Sequence, residues 1–204
     1  ITAHCGECFF CLHGLPQKCT ELFKYGHQEH DPVRPLVGGL ADHCQLVTGT
    51  TLVRVPDGLD NRVVAPASCA TATVAAACRV GDVGNGDTVL VLGAGMLGLT
   101  AVAMARQLGA REVVAVDLEP TRLSSAEEFG ATRTVLADDE QELQRVLRSV
   151  STQDGVDVVL ELSGSPQACE LGLAQLRTGG TLVLVGTVFP TDPIKIDPET
   201  VVRR

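Results

Sequence analysis

The stretch Val91-Leu92-Gly93-Ala94-Gly95-Met96-Leu97-Gly98 decides the fold of this chain. It lies between an apolar run, Thr88–Leu92, and an amphipathic run at residues 96–108, which predicts a strand, a tight turn and a helix. In such a turn the first glycine permits the sharp bend, the second lets backbone approach a pyrophosphate, and the third lets helix and strand pack closely. The pattern predicts a dinucleotide-phosphate site formed by Gly93, Gly95, Met96, Leu97 and Gly98.

The same alternation of apolar and amphipathic runs continues along the chain. Further strands are predicted at residues 113–117, 134–136, 156–161 and 181–185, and further helices at residues 120–129, 138–150 and 166–176. Strands that are almost continuously Val and Leu, alternating with helices, indicate a parallel sheet covered on both faces. We therefore predict a doubly wound α/β domain over residues 69–204.

The second predicted strand ends at Asp117, 19 residues after Gly98. A carboxylate at this place would bind the two hydroxyls of the adenosine ribose, and it would repel a 2′-phosphate. The sequence therefore favours NAD over NADP. Arg122 follows five residues later, and for this side chain a ribose contact and a solvated helix charge remain equally open.

Residues 1–68 have a different character, rich in Pro and Gly, with short β-like runs only at residues 44–47 and 51–55. No helix longer than two turns is evident, and an Ala-rich helix at residues 65–78 joins the two parts. About 68 residues with few aromatic side chains make a marginal core unless something cross-links them. We therefore expect a loop-rich β region that is cross-linked by a metal ion bound to its cysteines.

The cross-link is predicted at Cys5, Cys8, Cys11 and Cys19. The spacing Cys-x2-Cys-x2-Cys-x7-Cys lets four thiolates reach one tetrahedral zinc ion, and Gly6 and Gly14 allow the loop to wrap. Four ligands leave no open position, so the site would be structural. An iron–sulfur cluster, free thiols and a nucleic-acid-binding zinc ribbon are the alternatives, and the ribbon is disfavoured because residues 1–52 carry three basic and five acidic side chains.

The other cysteines and the histidines carry less information. Cys69 lies 24 residues before Gly93, and on composition alone a lone cysteine of this kind is more often a small buried hydrophobe than a ligand. Three further cysteines are expected in the core: Cys44, Cys78 and Cys169. The run His27-Gln28-Glu29-His30 is expected to form an exposed turn, because Gly26 and Pro32 disfavour the helix that would align its side chains.

Composition restricts the function. The 204 residues include 16 basic and 25 acidic side chains, a net charge of -9, and 45% are hydrophobic, as in a globular protein. An acidic chain gains nothing from phosphate backbones or anionic membranes, so the expected partner is a small molecule. Residues 88–105 carry no charge, but three glycines interrupt them, so we predict no membrane span. Cys-x2-Cys pairs in an α/β protein more often hold a metal than a disulfide, and no signal peptide is evident, so the sequence predicts a cytoplasmic protein.

Together these motifs resemble the zinc-dependent medium-chain alcohol dehydrogenases, and the resemblance covers nearly the whole chain. Besides the cysteine lobe and the glycine-rich turn, the motifs in family order are Gly38-Gly39-Leu40-Ala41, Cys69-x3-Thr73, Asp117-x4-Arg122-Leu123, Gly130-Ala131-Thr132, Asp157-x3-Glu161-x2-Gly164 and Arg177-x-Gly179-Gly180. Two segments, Lys24-Tyr25-Gly26-His27 and Pro66-Ala-Ser-Cys69-Ala-Thr-Ala-Thr73, are similar to the branch proposed to act in phosphonate metabolism.

The resemblance implies a partial GroES-like β domain with a structural-zinc lobe at residues 1–68 and a C-terminally incomplete, NAD-binding Rossmann domain at residues 69–204. It implies hydride transfer between NAD and a small alcohol or its carbonyl compound, with a second zinc as Lewis acid. Cys69 would be one of three protein ligands of that catalytic zinc. Thr73 would lie beside the nicotinamide, and Val185 would also contact the cofactor. The full-length protein would be a homo-oligomer.

The family's other two catalytic ligands, a Cys and a Gly-His-Glu segment, and its proton relay precede the cysteine lobe, where this chain has no residues. Because the chain starts at Ile1 and its first methionine is Met96, we expect a fragment that is inactive by itself. The alternative is an NAD-binding zinc protein that senses or scaffolds without catalysis. A methyltransferase is disfavoured by the cysteine lobe and by Asp117.

Overall fold

The computed structural model describes residues 2–151, 154–186 and 192–203. The chain separates into two compact units, Ile1–Ser68 (the N-terminal unit) and Cys69–Arg204 (the sheet unit). Regular structure in the N-terminal unit is short and consists of β1 (Thr2–Ala3), α1 (Phe9–Leu12), a 3-10 turn (Pro16–Lys18), β2 (Phe23–Lys24) and α2 (Asn61–Val64). β1 and β2 pair antiparallel, and Ala3 also bridges to Thr50.

The sheet unit is built on five parallel strands in the order β5-β4-β3-β6-β7. The strands are β3 (Thr88–Leu92), β4 (Glu112–Asp117), β5 (Arg133–Leu136), β6 (Val156–Glu161) and β7 (Leu176–Leu184). The helices are α3 (Ala72–Val80), α4 (Met96–Gln107), α5 (Pro120–Glu128), α6 (Glu140–Val150), α7 (Pro166–Gln175) and α8 (Pro198–Arg203). A π-helical turn, Ala67–Thr71, precedes α3, so the helix predicted at residues 65–78 is present in these two pieces.

Successive strand residues point to opposite faces, and both faces are covered. In β3, Val89 and Val91 pack with α3, α4 and α5, whereas Leu90 and Leu92 pack with α6 and α7. All four of these side chains are at most 1% exposed. The prediction of a doubly wound, Rossmann-type parallel sheet is therefore confirmed.

Local sequence signals set the helix boundaries. α5 and α7 each begin with proline at the first helical position, where a missing N–H costs nothing. α6 is capped by Asp139, whose carboxylate accepts the Glu142 N–H at 2.9 Å. α4 ends before Gly109, which takes the left-handed φ of +97° that favours glycine.

Three expectations are wrong. β7 begins at Leu176 rather than residue 181, because Leu176 pairs with Val156 and a register shift then absorbs Arg177 to Gly180 within the strand. No strand forms at residues 44–47 or 51–55, because within the described part of the chain only Thr50 of this region bridges to another strand. As a result Cys44 is exposed and does not belong to the core.

One helical stretch, Asn61–Val80, meets a length and apolarity criterion for crossing a membrane. The criterion uses length and composition alone, and 22% of the apolar window is buried. Within this stretch Val74, Ala77 and Cys78 are buried in the core beneath the sheet. The uncharged run at residues 88–105 is instead divided between β3, its turn and α4, as its glycines predict.

The Asp157 side chain links its own strand, β6, to β3 and β7. Its Oδ2 accepts the Thr88 N–H at 2.7 Å and its Oδ1 accepts Arg177 Nε–H at 2.6 Å. Desolvation opposes ionisation here, but these two donors prevail and lower the pKa of the Asp157 carboxyl. Asp157→Asn should therefore reduce the free energy of unfolding by about 1–3 kcal/mol at pH 7.

A group with a depressed pKa stabilises the fold above its ordinary pKa, here 3.8, and loses that effect as the pH falls below it. The difference between wild type and Asp157→Asn should thus shrink in urea titrations below about pH 4. The matched control is Glu142→Gln, which removes an exposed ion pair with Arg145 and should change stability little. A difference independent of pH would contradict the ionised role of Asp157.

Candidate functional site

The four clustered cysteines form a preassembled metal-binding lobe. The Sγ atoms of Cys5, Cys8, Cys11 and Cys19 all lie within 4.8 Å of one another. A tetrahedral zinc with Zn–S distances of about 2.3 Å needs sulfur atoms about 3.8 Å apart, and Sγ of Cys5 and Cys19 are 3.6 Å apart. The donor set and its spacing therefore fit zinc, with no ligand position left open.

The local backbone explains why these thiols meet. The β1–β2 pairing, with Ala3 opposite Phe23, brings both ends of the cysteine segment together. Gly6 and Gly14 take left-handed φ values of +82° and +74°, as their place in a wrapping loop predicts. The N–H groups of Cys5 and Glu21 point at Sγ of Cys19, at 3.4 and 3.3 Å. The loop thus presents donors to sulfur, the arrangement that stabilises thiolates.

Electrostatics within the lobe also favour a cation. Backbone N–H groups of Cys11 and Thr20 lower the pKa of the Cys8 thiol to about 6. Desolvation, by contrast, raises the pKa of the Cys11 thiol to about 12. Thiols this close cannot all ionise unless a cation offsets their mutual repulsion.

The glycine-rich turn lies at the carboxyl end of β3, and each glycine has a distinct constraint. Any Cβ at position 98 would overlap the carbonyl oxygen of Gly93, so α4 approaches β3 too closely for another residue. Gly93 has φ of +96°, and a Cβ there would lie 2.9 Å from the Ser163 nitrogen. Nothing lies within 4 Å of the corresponding position on Gly95. Backbone at Gly95 is therefore open to an approaching ligand.

Asp117 ties the end of β4 to this turn. Its Oδ2 accepts the Ala94 N–H at 2.7 Å and its Oδ1 accepts the Glu119 N–H at 2.9 Å. The Asp117 side chain is 6% exposed, and the guanidinium of Arg122, 57% exposed, lies 3.7 Å from Oδ1. Gly93, Gly95, Gly98 and Asp117 thus lie together at one edge of the sheet. That they bind a dinucleotide stays a prediction.

Two further strand ends complete this edge. Val185 follows β7, is partly buried, and donates its N–H to the Glu161 carbonyl oxygen at 2.9 Å. Glu161 ends β6 and is completely buried. The sequence places it in a family motif but does not predict its burial. A glutamate inside the apolar run Val156–Glu161 is the signal that could have drawn attention to it.

Cys69 and Thr73 lie in the π-helical turn and in α3, and both are exposed. The reading of Cys69 as a small buried hydrophobe is therefore wrong, while Cys78 and Cys169 are buried as expected. His27, Glu29 and His30 are exposed. Across the described ranges, the cysteine lobe is the one group of three or more His, Cys, Asp or Glu side chains able to hold a metal.

Comparison with known proteins agrees with this geometry. Residues 97–204 match the sequence model of the zinc-binding dehydrogenases. Over 199 residues the chain is 34% identical to 5-exo-hydroxycamphor dehydrogenase from Pseudomonas putida, which covers 94% of this chain and 54% of that relative.

Solved structures agree as well. An alcohol dehydrogenase from Thermotoga maritima superposes with a TM-score of 0.93 at 31% identity, covering 99% of this chain and 57% of that one. A zinc-binding dehydrogenase from Sinorhizobium meliloti, solved bound to NADP, gives a TM-score of 0.81 at 28% identity, covering 98% and 56%. The chain spans about half the length of these relatives. Because the family model matches just over half of its residues, the chain belongs to the zinc-dependent medium-chain dehydrogenase family.

Proposed function

We propose that this protein is part of an oxidoreductase that transfers a hydride between a small alcohol and NAD. The observation that carries the proposal is the hydrogen bond from the Ala94 N–H to Asp117, which places a carboxylate beside the open backbone of Gly95. A dinucleotide requires this combination, because its pyrophosphate needs free backbone and its adenosine ribose needs an acceptor. The Pseudomonas relative, named for a hydroxycamphor, and the Thermotoga alcohol dehydrogenase support an alcohol as substrate.

In this proposal the chain's residues bind and orient the cofactor. The turn formed by Gly93, Gly95, Met96, Leu97 and Gly98 holds the pyrophosphate, and Asp117 accepts the ribose hydroxyls. Arg122 lies at the rim of the same site, and Val185 and Thr73 contact the nicotinamide half. When bound, the nicotinamide accepts the hydride and a catalytic zinc acts as Lewis acid on the alcohol.

The two metal roles fall on different cysteines. Cys5, Cys8, Cys11 and Cys19 would hold a structural zinc that stabilises the N-terminal unit, part of a GroES-like domain. Cys69 would contribute one protein ligand to the catalytic zinc, and its exposure leaves its sulfur free to do so. The family's remaining ligands and proton relay are not among these 204 residues, so the isolated chain should not turn over.

NAD rather than NADP remains our proposal, although the Sinorhizobium neighbour was solved with NADP. Asp117 is almost fully buried and would have to face a 2′-phosphate at close range. Arg122 offsets part of that repulsion, but its guanidinium is largely solvated. The carboxylate therefore has the larger effect on the choice.

We place the full-length protein in the cytoplasm as a homo-oligomer, without nucleic-acid or membrane partners, in keeping with its clustered Cys-x2-Cys spacing and acidic charge. Assignment to the phosphonate-metabolism branch stays a prediction that rests on Lys24-Tyr25-Gly26-His27 and on the run from Pro66 to Thr73.

The zinc lobe gives a first test. Purified chain should contain one tightly held zinc, and Cys19→Ser should lose it, whereas Cys44→Ser, an exposed cysteine outside the lobe, should retain it. Structural zinc sites contribute about 10–16 kcal/mol of apparent binding energy. Chelation should therefore accelerate hydrogen exchange in residues 1–30 before the sheet unit responds. Protein that contains no metal and has four freely titratable lobe thiols would rule the site out.

The cofactor gives a second test, by calorimetric titration of NAD and NADP. Asp117→Gly should weaken NAD about 10- to 100-fold, the loss expected for hydrogen bonds to a buried charged group. NADP should weaken less, because repulsion of the 2′-phosphate is relieved. Arg148→Gln, which changes an exposed arginine on α6, is the matched control and should leave NAD affinity nearly unchanged. Tighter binding of NADP than NAD by the wild type would show that the carboxylate argument is wrong.

The catalytic assignment of Cys69 can be tested in the full-length protein. Cys69→Ser should abolish alcohol-dependent NAD reduction and remove one of two zinc ions, since one of three protein ligands is lost. Cys78→Ser, a buried cysteine of the sheet core, should retain both zinc ions. Survival of activity and of two-zinc stoichiometry in Cys69→Ser would leave the non-catalytic binding module as the better reading.

A further inference from the structure

Glu161 is a buried carboxylate that cofactor binding, as proposed above, does not use. It is 0% exposed at the carboxyl end of β6. Its Oε1 accepts three hydrogen bonds, from the Ser163 N–H at 2.8 Å, the Ser163 hydroxyl at 2.6 Å and the Gly164 N–H at 2.8 Å. Its Oε2 is buried, and among the described residues it has no hydrogen-bond partner. Burying such a group is unfavourable, so its presence requires an explanation.

The backbone of the same residue holds the neighbouring strand end. The Glu161 carbonyl oxygen accepts the N–H groups of Val185 and Gly186, at 2.9 and 3.0 Å. A Cβ on Gly186 would overlap the Gly164 nitrogen, so the segments that follow β6 and β7 are in direct contact. Glu161 therefore fixes both segments, one through its side chain and the other through its main chain.

The segment after β6 also abuts the glycine-rich turn. The Leu162 N–H donates to the Leu92 carbonyl oxygen at 2.9 Å, and a Cβ on Gly93 would lie 2.9 Å from the Ser163 nitrogen. A shift of Ser163 would open or close the gap beside Gly93. The position of one wall of the crevice between β3 and β6 thus depends on Glu161.

This crevice is where the strand order reverses. From β3 the chain proceeds outward to β4 and β5, then returns to β6 on the other side of β3. Ligands of doubly wound sheets bind at such a switch point, outside the carboxyl ends of the strands. With Asp117 on the β4 side fixing the adenosine half, the other half of a dinucleotide extends over the ends of β6 and β7.

We propose that Glu161 is a positioning residue for the nicotinamide half of the cofactor, acting through Ser163, Gly164 and Val185. The inference rests on the proposed function, because it presupposes that a nicotinamide dinucleotide occupies this edge. A residue that only stabilised the fold would affect all ligands of this edge alike. Loss of the carboxylate should weaken ligands that carry nicotinamide more than ligands that end at the ribose.

The test compares NAD with ADP-ribose, which lacks only the nicotinamide, by calorimetric titration of the 204-residue chain. Glu161→Ala should weaken NAD by roughly tenfold or more and ADP-ribose by a smaller factor of about two- to threefold. Some loss of ADP-ribose affinity is expected because Ser163 also lies against the Gly93 turn that would hold the pyrophosphate. Glu161→Gln should be intermediate, because its amide oxygen can replace Oε1 while its neutral NH2 group takes the place of Oε2, which has no hydrogen-bond partner among the described residues.

Glu161 lies in the core, so a variant that leaves the sheet intact is needed as well. Ser163→Ala changes an exposed residue and removes one hydrogen bond to Oε1, and should weaken NAD about two- to fivefold without affecting ADP-ribose. Ser165→Ala, two residues further along the same segment, makes no bond to Glu161 and should leave both affinities unchanged.

Equal losses of NAD and ADP-ribose affinity in Ser163→Ala and Glu161→Gln, or no loss of either, would overturn the positioning role while leaving the proposed function intact. A wild-type chain that binds neither ligand would instead overturn the proposed function, and the role of Glu161 with it.

Discussion

The close approach of α4 to β3 at Gly98 is the constraint on which the proposed cofactor site depends. No side chain fits between position 98 and the carbonyl oxygen of Gly93, and Gly93 itself is held against Ser163. The turn is therefore fixed from two sides, by its own helix and by the segment after β6. Only Gly95, with open space beside it, remains available to a ligand. Packing, rather than a binding side chain, determines where the anion site lies.

Two buried carboxylates organise this edge from opposite sides of β3. Asp117 accepts the N–H groups of Ala94 and Glu119, and Glu161 accepts those of Ser163 and Gly164. In each case a strand-end carboxylate fixes the loop that follows it, and Asp117 also holds the preceding turn. Backbone N–H groups donate to both side chains, which would limit their repulsion of a pyrophosphate at the proposed site. Rigid loops then keep backbone donors directed at the ligand without reorganisation.

The sheet unit could be predicted from sequence because its strands are continuous apolar runs and its helices carry their own start signals. The register shift in β7 could not, because Arg177-Thr178-Gly179-Gly180 has the composition of a turn and only pairing with β6 makes it strand. The N-terminal unit was predicted less well, since β propensity at residues 51–55 does not supply a partner strand. The spacing predicts the cysteine lobe and the place of Asp117. The side chain of Glu161 bonds locally to Ser163 and Gly164, but its proposed role depends on the contacts of this segment with Gly93 and Gly186, which spacing does not encode.

The N-terminal unit has too few buried side chains for a hydrophobic core, so a bound metal would be important for its stability. Among its described residues only Ala3, Cys19 and Tyr25 are buried. Complete burial of a large apolar side chain contributes about 1.5–3 kcal/mol, so three buried residues, two of them small, make only a minor contribution to stability. The Tyr25 hydroxyl forms a hydrogen bond with the Thr50 hydroxyl at 2.6 Å and accepts the Val47 N–H at 2.8 Å. These hydrogen bonds hold only the part of the unit near the bridge between Ala3 and Thr50. A zinc bound by these four thiolates would contribute about 10–16 kcal/mol at a single point. That exceeds any hydrogen bond found among the described residues of this unit, so the metal would determine the path of the loop.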